Sequence, residues 1–178
     1  MWIKYIFITV LFYLLAILQN SFFAHFNLFG ATPNLVFIFF LLIVFFEKQR
    51  LNYIIIFYAS IAGLLLDIFS SGHIGVSMVL LIMIGLLIKK IHSLLSEKNE
   101  KYSFIYFFTL FLFSFIIYKL SLGIYFYFSN DQNNLINFDW KIVFDMIYNL
   151  FFASIIFGVY KKFFAGRLDN RQLSLFNK

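Results

Sequence analysis

The chain has no cysteine, and it has one proline in 178 residues. The first absence excludes a disulfide framework and leaves the redox compartment unread. Charge is scarce as well. Asp, Glu, Lys and Arg make up 12% of the residues, against about 25% in an ordinary soluble domain. No polar block is long enough to form a soluble domain, so residues 1–178 read as a single unit. What is present is apolar: 63% of residues are hydrophobic, the mean hydropathy is +0.91, and there are 29 Phe and 11 Tyr. A water-soluble fold cannot hide so much Phe, Ile and Leu, so lipid has to be the solvent for most of the chain. The aromatic surplus reads as filler for lipid-facing surface.

Catalytic patterns are missing too. Gly75-Val-Ser77-Met has no second glycine for a serine-nucleophile turn, and no histidine sits mid-helix. Leu65-Leu66-Asp67 lacks the glycine of an intramembrane aspartyl site, and Asp67 has no neighbouring aspartates to hold a metal and a pyrophosphate. Gly-rich phosphate loops and HExxH are absent. His25, His73 and His92 lie apart in loops, whereas zinc needs three or four ligands in ordered spacing. The reading is therefore a non-enzyme with no cofactor and no metal. The net charge of +6 is not nucleic-acid chemistry, because no basic–aromatic motif accompanies it.

Six apolar segments can be cut, at about residues 2–23, 34–46, 53–69, 74–88, 102–128 and 140–164. A full crossing takes about 20 residues, so the second and fourth are short. The first is longer than a signal-peptide core and no small-residue cleavage pattern follows, so it reads as a retained helix. Gly30-Ala-Thr-Pro33-Asn34 is a turn, with Pro33 placed for the first turn of a helix. Ser70-Ser-Gly72-His73 is a second tight turn.

Orientation follows from Lys and Arg. All 14 except Lys119 and Lys141 lie at the N-terminus, in the second and fourth connections, or in the tail. The stretches 24–31, 70–73 and 129–139 contain none. Six crossings with both termini in the cytoplasm satisfy the positive-inside rule, and the asymmetry supports counting the short second segment as a crossing.

Three charges fall inside the apolar runs: Asp67, Lys119 and Asp145. A charge at membrane depth must be sheltered or paired. Lys119 is expected to pair with Asp67 or Asp145, while Lys141, four residues before Asp145, competes for the latter. Such a group is either an ion or ligand site or a structural pair that fixes helix register. Gln19, Asn20, Ser21, Asn34, Asn149 and Ser154 are candidate hydrogen-bonding glue between helices, and Gly63, Gly75, Gly85, Gly123 and Gly158 are candidate points of close approach.

Two of these stretches carry a resemblance. Leu18-Gln19-Asn-Ser21 followed by Leu28-Phe-Gly30-Ala-Thr-Pro33-Asn34-Leu35, and Gly63-Leu-Leu-Leu-Asp67-Ile-Phe-Ser-Ser-Gly72-His-Ile-Gly75, resemble the rod shape-determining protein MreD family. The likeness covers roughly residues 18–91, with Asn34 in place of an acidic residue. It implies a non-catalytic inner-membrane protein of the bacterial cell-elongation machinery. It also implies association with an MreC-like protein and, through it, with the MreB filament and the peptidoglycan synthases. The expected fold is all-α, a six-helix membrane bundle resembling the substrate-binding subunit of energy-coupling-factor transporters. The short basic loops would face anionic membrane lipid or an acidic partner.

Two other readings stay open. One is a vitamin-binding membrane subunit of such a transporter, although the first helix has only Ala16 where those subunits carry an A-x-x-x-A face. The other is an ion or lipid carrier built on Asp67 and Lys119. On the leading reading the segment Gly63–Gly75 is an architectural corner, in which Asp67 anchors the bundle or caps the turn into the fourth helix.

Overall fold

The computed structural model describes residues 2–26, 30–46, 52–70, 73–95, 103–129 and 140–160. These form six α-helices: α1 (Trp2–His25), α2 (Leu35–Phe46), α3 (Asn52–Phe69), α4 (Val76–Leu95), α5 (Ser103–Phe128) and α6 (Trp140–Tyr160). Among the described residues no element is a strand. The expected segments are therefore found, with ends shifted by a few residues, while the expected start of the fifth at 102 and end of the sixth at 164 lie outside the described residues. The largest shifts are in α4, which begins at Val76 instead of Ile74 and continues past Ile88 to Leu95.

Among the described residues four helices hold stretches long and apolar enough to cross a membrane: 5–25, 52–69, 104–128 and 140–159. In hydrocarbon every backbone amide must find its partner within the chain, and a helix achieves this locally. The outward faces match such a solvent. Ile6, Phe7, Val10 and Leu14 on α1, and Ile147, Phe151 and Ile155 on α6, are exposed.

α2 is the centre of the bundle. It is apolar all round, and eleven of its twelve residues are buried. It packs against each of the other five helices. Its length is about 18 Å at 1.5 Å per residue, well short of the about 30 Å of a hydrocarbon core. α1, α4 and α5, with 24, 20 and 26 residues, all outreach it. The chain enters α2 through a turn that dives inward, with Ala31 and Pro33 buried and Gly30 at φ 77°.

The aromatic residues do more than face lipid, which corrects the reading from composition. Phe107, Phe111 and Phe115 repeat every four residues on the buried face of α5, and Phe37 on α2 packs against the latter two at 6.0 and 6.1 Å. Phe45 meets Phe107 at 5.2 Å at the other end of α2. Edge-on packing of this kind adds about 0.5–1.5 kcal/mol per pair beyond area burial. The surplus Phe is thus shared between core and surface.

Candidate functional site

The α3–α4 corner is built by two residues one turn apart. Gly63 and Asp67 are spaced i, i+4 and lie on the same face of α3. A Cβ on Gly63 would run into the backbone of Ser77 and Met78. The missing side chain lets the first turn of α4 rest directly on α3. One turn later Asp67, 3% exposed, reaches α4: its Oδ2 accepts from the Gly75 amide at 2.7 Å and its Oδ1 from the Ser77 amide at 3.0 Å. A helix start leaves its first amides without intrahelical partners and carries a partial positive charge, so a carboxylate there satisfies both. Asp67 serves as an N-cap delivered from a neighbouring helix. Gly75 adopts φ 104°, a conformation that favours glycine, and its carbonyl accepts from Val79 at 3.1 Å. Gly75 thus shapes the turn and is not a point of close approach. That is why α4 starts two residues after Ile74.

The start of α2 is capped in a related way. Asn34 Oδ1 accepts from the Phe37 amide at 2.9 Å, the usual N-cap geometry. The Asn34 amide donates to Asn149 Oδ1 on α6 at 2.7 Å, and Asn149 Nδ2 donates to the Asp145 carbonyl at 2.7 Å. Gln19 on α1 offers its Oε1 to the Val36 amide at 3.5 Å. Three polar side chains from α1, α6 and the entry turn therefore converge on the buried end of α2.

Lys119 pairs with Asp145, Nζ to Oδ2 at 2.8 Å, and lies 5.6 Å from the Phe115 ring centre. This settles the pairing left open by the sequence. Lys119 joins α5 to α6, Asp67 is satisfied by backbone amides, and Lys141 is exposed. Ser77 Oγ and Tyr118 Oη lie 3.0 Å apart and tie α4 to α5. No sequence signal marked Tyr118 among the many aromatics.

These groups surround one cavity of about 230 Å3, into which Gln19, Asn34, Asp67, Ser77, Tyr118 and Lys119 all project part of their surface. Asp145 stands behind Lys119 and does not line it. Of the other expected residues, Pro33 is buried in the α2 entry turn and Gly72 lies outside the described residues. Asn20, Ser21 and Ser154 bond back to carbonyls of their own helices and do not bridge. Gly85 does provide a close approach, since a Cβ there would press on Ile55 and Phe40, whereas nothing lies near Gly158. Among the described residues no three His, Cys, Asp or Glu side chains gather as a metal ion would need.

Apolar helices with lipid-suited surfaces, joined among the described residues by buried caps and the Lys119–Asp145 ion pair, define an α-helical membrane protein whose visible chemistry is structural. The chain belongs to the rod shape-determining protein MreD family, whose model matches residues 2–163, nearly its whole length. It is a membrane protein of the cell-shape class. No curated protein and no solved structure matches it.

Proposed function

We propose that this protein is a non-catalytic, multi-pass component of the rod complex in the bacterial inner membrane. On this reading it forms a single six-helix domain that crosses the membrane six times with both termini in the cytoplasm. It binds an MreC-like protein, and through that partner acts on the MreB filament and the peptidoglycan synthases. The observation that carries the reading is the family match over residues 2–163.

The geometry supports it in two ways. The charged groups of the polar end join helices: Asp67 caps α4 and Lys119 pairs with Asp145. At the opposite end of the bundle Lys89, next to Lys90 on α4, donates its Nζ to Asn52 Oδ1 on α3 at 2.7 Å, as expected of a cytoplasmic face. A likeness of this bundle to the transporter substrate-binding subunit rests on helix number and size, and belongs to the same proposal.

The test is co-purification from membranes with an MreC-like partner, together with depletion in the rod-shaped host. Capture of the partner and rounding of depleted cells are expected. Unaltered rod shape and normal side-wall growth after depletion would refute the reading. Topology is checked separately. The absence of native cysteine lets single cysteines at positions 98 and 129 be probed with a membrane-impermeant thiol reagent. Only position 129 should label from outside.

A further inference from the structure

Helix joining accounts for the walls of the polar cavity but not for its space. At about 230 Å3 it is several times the roughly 30 Å3 a water molecule occupies in the liquid. It exists because α2 is short, so its neighbours extend past its capped end. The exposed residues Asn20 and His73 also line it, so it opens to the surface.

Hydrogen-bond accounting gives the cavity a chemical sign. Backbone partners fix the side-chain amides, so their oxygen and nitrogen ends are assigned by the network. Gln19 spends its oxygen on Val36 and Asn34 spends its oxygen on Phe37. Their NH2 groups make no further hydrogen bond among the described residues. Lys119 has three N–H donors, and Asp145 takes one. The Ser77 and Tyr118 hydroxyls share one hydrogen between them, which leaves the pair one O–H to donate. On the acceptor side the lining holds one carboxylate, Asp67, and each of its oxygens already receives a backbone N–H at the positive end of α4. The cavity therefore holds more unspent donors than open acceptors, the Oδ1 of the exposed Asn20 being one of the latter, and its one cation, Lys119, stands across from a carboxylate, Asp67, whose oxygens are already capped by backbone amides. Leu66, Leu122 and Phe126 complete its wall with apolar surface.

We propose that this cavity binds a phosphate-type oxyanion, either free in solution or as the headgroup of a phospholipid. Lys119 is the electrostatic anchor, and the amides of Gln19 and Asn34 are flanking donors. Oxyanions accept from every direction and form short, strong bonds to charged donors. The assignment stands on the cavity alone and does not depend on the rod-complex reading.

The experiment has two arms on the full-length protein. In neutral detergent, inorganic phosphate is titrated calorimetrically. In nanodiscs containing phosphatidylglycerol, or phosphatidylcholine only, retained lipid is read by native mass spectrometry. Binding in the first arm identifies a free oxyanion, and selective retention of phosphatidylglycerol identifies a headgroup. Lys119→Gln combined with Asp145→Asn removes the anchor without stranding a buried charge, and should weaken binding on the order of tenfold. Gln19→Leu leaves the ion pair intact and should weaken it about threefold, so it carries the test if the double variant fails to fold. Absence of binding in both arms, or affinity unchanged in Gln19→Leu and the folded double variant, would overturn the proposal.

Discussion

Asp67 on α3 holds the amide of Gly75 at 2.7 Å and thereby fixes where α4 begins. The contact is possible because Gly63, one turn earlier, brings the two backbones together. The spacing Gly63-x-x-x-Asp67 is thus one device, consisting of a close approach and, a turn later, a cap.

Replacing Asp67 with Ala strands two amides, that of the buried Ser77 and that of the half-buried Gly75. Hydrogen bonds to a charged acceptor contribute about 1.5–3 kcal/mol each. Asp67→Ala is therefore expected to lower the melting temperature of the detergent-purified protein markedly, and Asp67→Asn, which keeps one acceptor oxygen, by about half as much. Equal melting of all three proteins would show that the cap contributes nothing.

Gly63→Val should destabilise at least as strongly, because the added side chain meets backbone that cannot rotate away. Once α4 is pushed off α3 the cap is out of reach. Gly63→Val with Asp67→Ala should then cost clearly less than the sum of the two single changes, as coupled sites do. Additive shifts in melting temperature would separate the two residues.

At the start of α2, Asn34→Ala should cost about 1 kcal/mol, the usual loss of an N-cap. Asn34→Asp keeps the accepting oxygen and puts a negative charge at a helix N-terminus beside the cavity that Lys119 lines. It should melt at or above the original temperature. A large drop for Asn34→Asp would mean that the neutral amide is required, as the oxyanion assignment implies for binding but not for folding.

For the ion pair, Lys119→Met alone leaves Asp145, 8% exposed, without its cation. Breaking a fully buried pair from one side costs about 3–5 kcal/mol, and this half-buried pair, with the Lys119 side chain 28% exposed, less than that, whereas replacing both partners with apolar residues is often neutral. Lys119→Met with Asp145→Leu should recover most of the stability lost in Lys119→Met. Thermal unfolding of the two variants side by side checks this.

Much of the fold is legible in the sequence, for reasons that can be named. Lipid as solvent forces long apolar runs, and these mark all six helices to within a few residues at most ends. The α4 start is misread because Ile74 is apolar yet sits in the turn that the left-handed Gly75 creates. The polar residues are legible as a set, since Gln19, Asn34, Asp67, Lys119, Asp145 and Asn149 stand out against an apolar background. Their partners are not. Asp145 and Lys119 are 26 positions apart and Asn34 and Asn149 are 115 apart. Ser77 draws attention only as a serine without a nucleophile motif, and its partner Tyr118 escapes notice because one tyrosine carries no signal in a chain with 11 Tyr.

The sequence by itself determined the solvent, the helices, the asymmetry of charge and the family, because each depends on local composition or on a short motif. Only the tertiary structure decided that Asp67 is a cap and not an ion-pair partner, that α2 is the buried axis, and that a donor-rich cavity lies above its end. Those facts depend on which helix faces meet. An apolar surface that suits lipid and another helix equally well does not encode that choice in any one segment.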